Sequence, residues 1–251
     1  MIQIEPKYDV IVVGSGGAGL RAAIGAAMEG AKVAVLCKGK RNRSGATLLA
    51  GANISADVAC DGGNLNRLGI SDRNKEDSPE KWFEDLICEG FYLNRQELVN
   101  LFVTTAAERL EEMIQWGLKI RGMEGEREIS VFGSDILDVL YNQAQKLNVD
   151  FIENQIFSDL ITEDDGVSGA LCLDIMTGEL CCYIAQAVVI ATGGAHNLFS
   201  INSGSTDLCG EGQASVLRAG GTLVDMEMIS FCPTVISEPL IYKGNILPYI
   251  F

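Results

Sequence analysis

Four glycines fall within six positions, at Gly14, Gly16, Gly17 and Gly19, in the stretch "VVGSGGAGLRAA". Gly14, Gly16 and Gly19 have G-x-G-x-x-G spacing, and each missing side chain has its own use. The first permits a tight turn, the second lets a pyrophosphate come close to the backbone, and the third lets a helix pack against a strand. With Ser15, Gly17 and Ala18 they make a loop whose free N–H groups and helix dipole favour an anion. A glycine-rich turn with no ligand uses the same residue types, so the flanking sequence has to decide.

That sequence has the right periods. Tyr8 to Val13 is a short β-branched apolar run, as expected for a strand buried on both faces. Ala18 to Glu29 is alanine-rich and reads as a helix, and "AKVAVLC" at 31–37 reads as the next strand. The unit is therefore βαβ, the setting in which the glycine spacing carries meaning. A nicotinamide-binding unit normally ends its second strand with an acid that holds the ribose. Here that position reads Leu36, Cys37, Lys38, so the signal for NAD is missing.

Further along, residues 38–61 are polar, small and glycine-rich and read as a long loop. Helices are expected over 78–90, with Ser78 as N-cap and Pro79 at the first position, over 95–117, closed by Gly117, and over 134–148. "DFIE" at 150–153 reads as a third parallel strand, and residues 155–186 as a three-stranded β-meander. "AVVIATGG" at 187–194 reads as a separate buried strand, with Ala191, Thr192 and Gly193 where a ligand would pass. The expected fold class is α/β: Rossmann-like, a parallel sheet with helices on its faces plus the meander.

Composition narrows the partners. The 251 residues carry 34 acids against 19 bases, a net charge of −15 that repels nucleic-acid phosphate and anionic lipid. No apolar run approaches the ~18–20 residues of a membrane span. "MIQIEPKYDV" has no basic region followed by an apolar one, so the expectation is a cytoplasmic protein without direct membrane insertion. The eight cysteines form no C-x-x-C pair, which argues against an iron–sulfur or zinc site in this chain. His196 is the lone histidine and has no ligand cluster for a metal.

At this point the chain resembles the flavoprotein subunits of the fumarate reductase and succinate dehydrogenase class, with aspartate oxidase and adenylylsulfate reductase. "DVIVVGSGGAGLRAA" is similar to that family's FAD pyrophosphate loop and "RSGATLLAGANISA" to its flavin-wrapping loop. "AVVIATGGAHNLF" is similar to its second FAD strand, and "STDLCGEGQASVLRAGGTLVDMEMISFCPT" to its T-G-D-G helix and F-H-P-T segment. The resemblance implies FAD, held by the glycine loop, by Cys37 and Lys38, and by Ser44, Gly45, Ala46, Thr47 and Gly51 around the flavin ring. Ala191, Thr192, Gly193 and Glu211, the last in place of the T-G-D-G acid, complete the implied cofactor set. It also implies hydride transfer between flavin N5 and a small organic substrate, with carboxylates as one class.

Two departures qualify this. Gly45 stands where respiratory members have the histidine that bonds to the flavin, which implies noncovalent FAD. Cys232 stands at the F-H-P-T histidine, a substrate-site position, and a thiol cannot give a carboxylate the charged hydrogen bond of an imidazolium. Cys232 is open to two readings, a redox thiol or a buried spectator. The resemblance implies a cofactor domain over 1–232 and the start of a capping domain over 233–251, with the family's proton-donating arginine beyond Phe251. Three functions fit: the FAD part of an oxidoreductase, an electron-transfer subunit working with an iron–sulfur partner, or a non-catalytic flavin-binding fragment.

Overall fold

A computed structural model of the chain describes residues 2–4, 7–41, 43–50, 53–55, 77–124, 127–164, 166–231, 236 and 238. The chain divides into two compact units, one of Met1–Ala50 with Leu140–Phe251 and one of Gly51–Val139. The first opens with β1 (Ile2–Ile4), β2 (Tyr8–Val13), α1 (Gly17–Met28), β3 (Val33–Leu36) and a one-turn α2 (Ala46–Leu49). The second holds β4 (Asn53–Ser55), α3 (Pro79–Glu89), α4 (Gln96–Gln115), β5 (Gly122–Glu124) and β6 (Glu128–Ser130). After α5 (Gly133–Lys146), which straddles the division, the first unit continues with β7 (Asp150–Ile152), β8 (Gln155–Glu163), β9 (Gly166–Asp174), β10 (Leu180–Ile190) and α6 (Glu211–Arg218).

The first unit is an α/β layer built on one sheet of order β7-β3-β2-β10-β9-β8, with β1 also on β10. β7, β3, β2 and β10 run parallel, and β10, β9 and β8 pair antiparallel. Every residue of β3 is buried, as a parallel strand covered on both faces requires. Ile11, Val13, Ala34 and Leu36 share one core with Phe157, Cys172, Cys181 and Tyr183 from the antiparallel strands. The alternate residues Val12, Val33 and Val35 take the opposite face, and the buried stripe of α1 is Leu20, Ala23 and Ile24. α1 closes at Gly30, whose φ of +85° suits glycine, with Ala31 N–H donating to Ala26 C=O at 3.2 Å.

Two sequence expectations change. The expected strands at the end of the meander and at 187–194 are one eleven-residue strand, β10, which ends at Ile190. Leu180–Ile184 pairs antiparallel with β9, and Ala185–Ile190 pairs parallel with β2. No glycine or proline interrupts Ala185-Gln186-Ala187, so the strand changes neighbours without breaking. The expected 38–61 loop contains α2 and β4; the rest of it beyond Ala50, apart from β4, lies outside the described residues.

The second unit has β4, β6 and β5 in a small antiparallel sheet. Ile54 and Ile129 from this sheet pack with Leu110 and Met113 of α4 and with Leu118 and Val139. The Ser78 hydroxyl caps α3 by accepting from the Lys81 N–H at 3.1 Å, with Pro79 at the first helical position. Gly117 (φ +110°) ends α4. Arg127 grips the Asp77 carboxylate and reaches Asp85 at 2.9 Å; that grip holds the Asp77 pKa below the usual carboxylate range.

The described cysteines are all free, and their burial sorts them chemically. Burial raises Cys37 to about 11, against a lowering hydrogen bond from Ser15, and raises Cys172 to about 12. The thiolate is the reacting form, so at pH 8 the exposed Cys88 is expected to alkylate first, and Cys37 and Cys172 only on unfolding. Mass-spectrometric mapping of maleimide labelling checks this order. Labelling of Cys37 at the Cys88 rate in the folded chain would contradict its burial.

Candidate cofactor-binding site

The carboxyl ends of β2, β3 and β10 meet the N-terminus of α1 around a cleft of ≈ 230 Å³. Its floor is Val13 to Ala18, and one wall is Leu36, Lys38, Gln155 and Phe157. Ser44 to Thr47 close a second side, and Ala191 to Gly194 with Asp207, Leu208 and Glu211 close the third. Open α/β sheets place ligands in this crevice outside the strand ends.

The glycines divide into two kinds. A Cβ on Gly19 would sit 1.9 Å from the Gly14 carbonyl oxygen, and one on Gly14 (φ +111°) 2.3 Å from the Ala191 oxygen. Those two are glycine because protein backbone already fills the space. A Cβ on Gly16 would meet only Thr47 Oγ1 at 3.4 Å, and one on Gly17 only Thr47 atoms at 3.5 Å. Among the described residues no backbone requires glycine there, which leaves the helix start open to the approach of a ligand. The Gly17 N–H donates to Thr47 Oγ1 at 3.1 Å, and no acidic side chain stands in the first turn of α1. An anion is the charge that this end of a helix favours.

Lys38 reaches from its wall to the 205–211 segment on the third side. Lys38 Nζ donates to the Asp207 carbonyl at 2.8 Å and forms a short ion pair with Glu211. Partial burial works against the charge of both partners, and the pairing outweighs it: Lys38 is raised and Glu211 lowered from their ordinary values. Glu211 Oε2 also accepts the Cys209 N–H at 3.3 Å. Asp207 Oδ2 accepts the Gly45 N–H at 3.0 Å and the Ser205 hydroxyl at 2.8 Å, which ties the 44–47 segment to this wall.

Of the residues read from sequence, Gly14 to Ala18, Lys38, Ser44, Gly45, Ala46, Thr47, Ala191, Thr192, Gly193 and Glu211 all come together on the cleft. Cys37 and Gly19 do not. Cys37 is fully buried behind the wall, its backbone joined to Ile152 and Gln155, and Gly19 lies under the loop. Gly51 and Cys232 lie outside the described residues. His196 lines a separate cleft, with Nε2 donating to the Ser205 carbonyl at 3.0 Å, which assigns the proton to that nitrogen. Sequence reasoning misses Asp207, Gln155, Leu208 and Phe157 as lining residues. Asp207 lies inside "STDLCGEG", but no spacing marks it.

Comparison with known proteins agrees with this geometry. The FAD binding domain family matches residues 9–134 and 122–244. The chain is 29% identical over 254 residues to one subunit of the fumarate reductase (CoM/CoB) of Methanothermobacter marburgensis, covering 95% of this chain and 44% of that protein. It is 31% identical to the fumarate reductase flavoprotein subunit of Escherichia coli, covering 91% of this chain and 38% of that one. Among solved structures, Mycobacterium smegmatis Sdh1 superposes with a TM-score of 0.86 at 29% identity, covering 98% of this chain and 43% of Sdh1. The chain thus spans less than half the length of these relatives.

The two kinds of glycine separate experimentally. Gly19→Ala is expected to cost about 1–3 kcal/mol of stability, because its methyl group meets backbone that cannot yield. Gly16→Ala is expected to leave the ligand-free chain within about 0.5 kcal/mol of the parent. Urea unfolding of the stripped proteins measures both, and the opposite ranking would mean that α1 is misplaced on the sheet.

Proposed function

The chain belongs to the FAD binding domain family, and from that premise we propose that it is the cofactor-binding part of a fumarate-reductase-like oxidoreductase. The observation that carries this reading is that a side chain at Gly16 or Gly17, at the start of a helix without acids in its first turn, would meet nothing among the described residues closer than Thr47 at 3.4 Å. Bound there, FAD supplies a two-electron centre that accepts or gives hydride at N5. The chain's own residues then have distinct tasks. The amides of the 14–18 loop beyond those of Gly14 and Gly17, which donate to Leu36 and Thr47, would hold the diphosphate, and the 44–47 segment would lie along the flavin ring. Lys38, already paired, keeps Glu211 in place on the wall where it can accept from a cofactor hydroxyl.

We assign residues 1–232 to the cofactor domain and 233–251 to the start of a capping domain; the family match over 9–134 and 122–244 supports a cofactor domain and runs past that boundary. The substrate is assigned as a small organic molecule, with carboxylates the class that the relatives' names carry. Cys232 is the candidate substrate-site residue. A second reading, an electron-transfer subunit with an iron–sulfur or other redox partner, is favoured by the relatives being named as subunits. Among the described residues no helix is long and apolar enough to cross a membrane, and no His, Cys, Asp and Glu cluster could hold a metal. We place the protein in the cytoplasm, where free thiols such as the six described here persist.

The cofactor reading is tested on the purified protein. Acid is expected to release FAD into the supernatant, identified by chromatography against FAD and FMN standards. Gly16→Val should abolish binding, because the side chain takes the diphosphate's place. Gly45 offers no imidazole for attachment, so a denaturing gel is expected to show no fluorescent band. Full FAD retention in Gly16→Val overturns the seat, and a fluorescent polypeptide overturns noncovalent binding.

A further inference from the structure

The strand end that would hold a ribose has no free side-chain acceptor. At the end of β3, Leu36 is apolar, Cys37 is buried behind the wall, and Lys38 is a donor engaged with Glu211. Gln155, the first residue of β8, stands on the same wall of the cleft and is only 3% exposed. Its backbone N–H donates to the Cys37 carbonyl at 2.9 Å, which locks it to the end of β3.

The orientation of its amide is fixed by its partners. Gln155 Nε2 donates to Asp174 Oδ2 at 2.8 Å and to the Glu153 carbonyl at 3.3 Å. Both partners are pure acceptors, so the nitrogen must face them and the carbonyl oxygen must face away. Asp174 is itself held, its Oδ1 accepting the Met176 N–H at 2.8 Å and the Thr177 N–H at 2.9 Å. Gln155 Oε1 is left buried with no donor among the described residues. A buried acceptor without a donor is costly, and such sites in native proteins call for an explanation. A ligand that brings a donor into this wall supplies one.

We propose that Gln155 is a specificity-determining residue for the adenosine half of FAD, its Oε1 accepting a hydrogen bond from a ribose hydroxyl or from the adenine amino group, with Asp174 as its positioning residue. This rests on the FAD reading above. The acceptor missing from β3 is supplied from β8, and it selects a dinucleotide over FMN, which has no adenosine.

Calorimetric titration of the flavin-stripped 251-residue chain with ADP, 2′-deoxy-ADP, 3′-deoxy-ADP and IDP tests it. The wild type is expected to bind one analogue, the one lacking the donor, about three- to tenfold more weakly than ADP. A deoxy analogue that binds weakly identifies the ribose, and weak IDP identifies the amino group. Gln155→Leu is expected to lose that preference, and Asp174→Ala, which frees the amide to rotate, to reduce it. Equal binding of all four nucleotides by the wild type overturns the proposal whether or not the variants fold. So does an unchanged preference in folded Gln155→Leu. Absence of both FAD and ADP binding would instead overturn the cofactor reading itself.

Discussion

The cofactor unit rests on one close approach. Helix α1 comes so near the end of β2 that a methyl group on Gly19 would lie 1.9 Å from the Gly14 oxygen, and Gly14 in turn lies against Ala191. The first turn and the helix start, neighbours in sequence, are thereby brought against the end of β10, which is distant in sequence. A helix held farther off would still bury Leu20 and Ile24, but its N-terminus would no longer open onto the strand ends. Burial of α1 stabilises the fold, and the short distance makes the fold a binding site.

β10 extends that point into the rest of the unit. Its first half pairs with the antiparallel strands and its second half with the parallel ones, so register along one strand fixes both parts of the sheet. A slip of one residue would exchange the buried and exposed faces of Tyr183 and Ala185 and move Ala191 away from Gly14. The antiparallel strands therefore do more than extend the sheet: through β10 they set the cleft's third wall, and through β8 they set Gln155 on the wall beside Lys38.

Local patterns make much of this legible in the sequence. The βαβ unit follows from apolar runs and alanine content, the α3 cap from Ser78-Pro79, and the end of α4 from Gly117. The cleft's glycine loop is legible because turn chemistry is local. Features decided by distant contacts are not. The two halves of β10 read as separate strands because Ala-Gln-Ala looks like a boundary until both its neighbours are known. Cys37 reads together with Lys38, yet just past the end of β3 the Cys37 side chain is fully buried while Lys38 lines the cleft. Asp207 and Gln155 carry no motif, and their place on the wall comes from pairing with residues 162 and 19 positions away, Gly45 and Asp174.

The electrostatics of the cleft follow from these pairings. A chain of net charge −15 that accepts a diphosphate must keep its own carboxylates from opposing the ligand. The two acids on the wall are already engaged. Glu211 faces the Lys38 ammonium and the Cys209 amide, and Asp207 takes the Gly45 amide and the Ser205 hydroxyl. Lys38 consequently cancels a charge within the wall rather than adding one toward the ligand. What remains at the head of α1 is neutral backbone, with the Gly17 N–H donating to Thr47, and the helix dipole there favours an anion without a counter-charge. Glycine at 16 and 17 then has an electrostatic as well as a steric consequence, because bare backbone is what the cleft presents to its ligand.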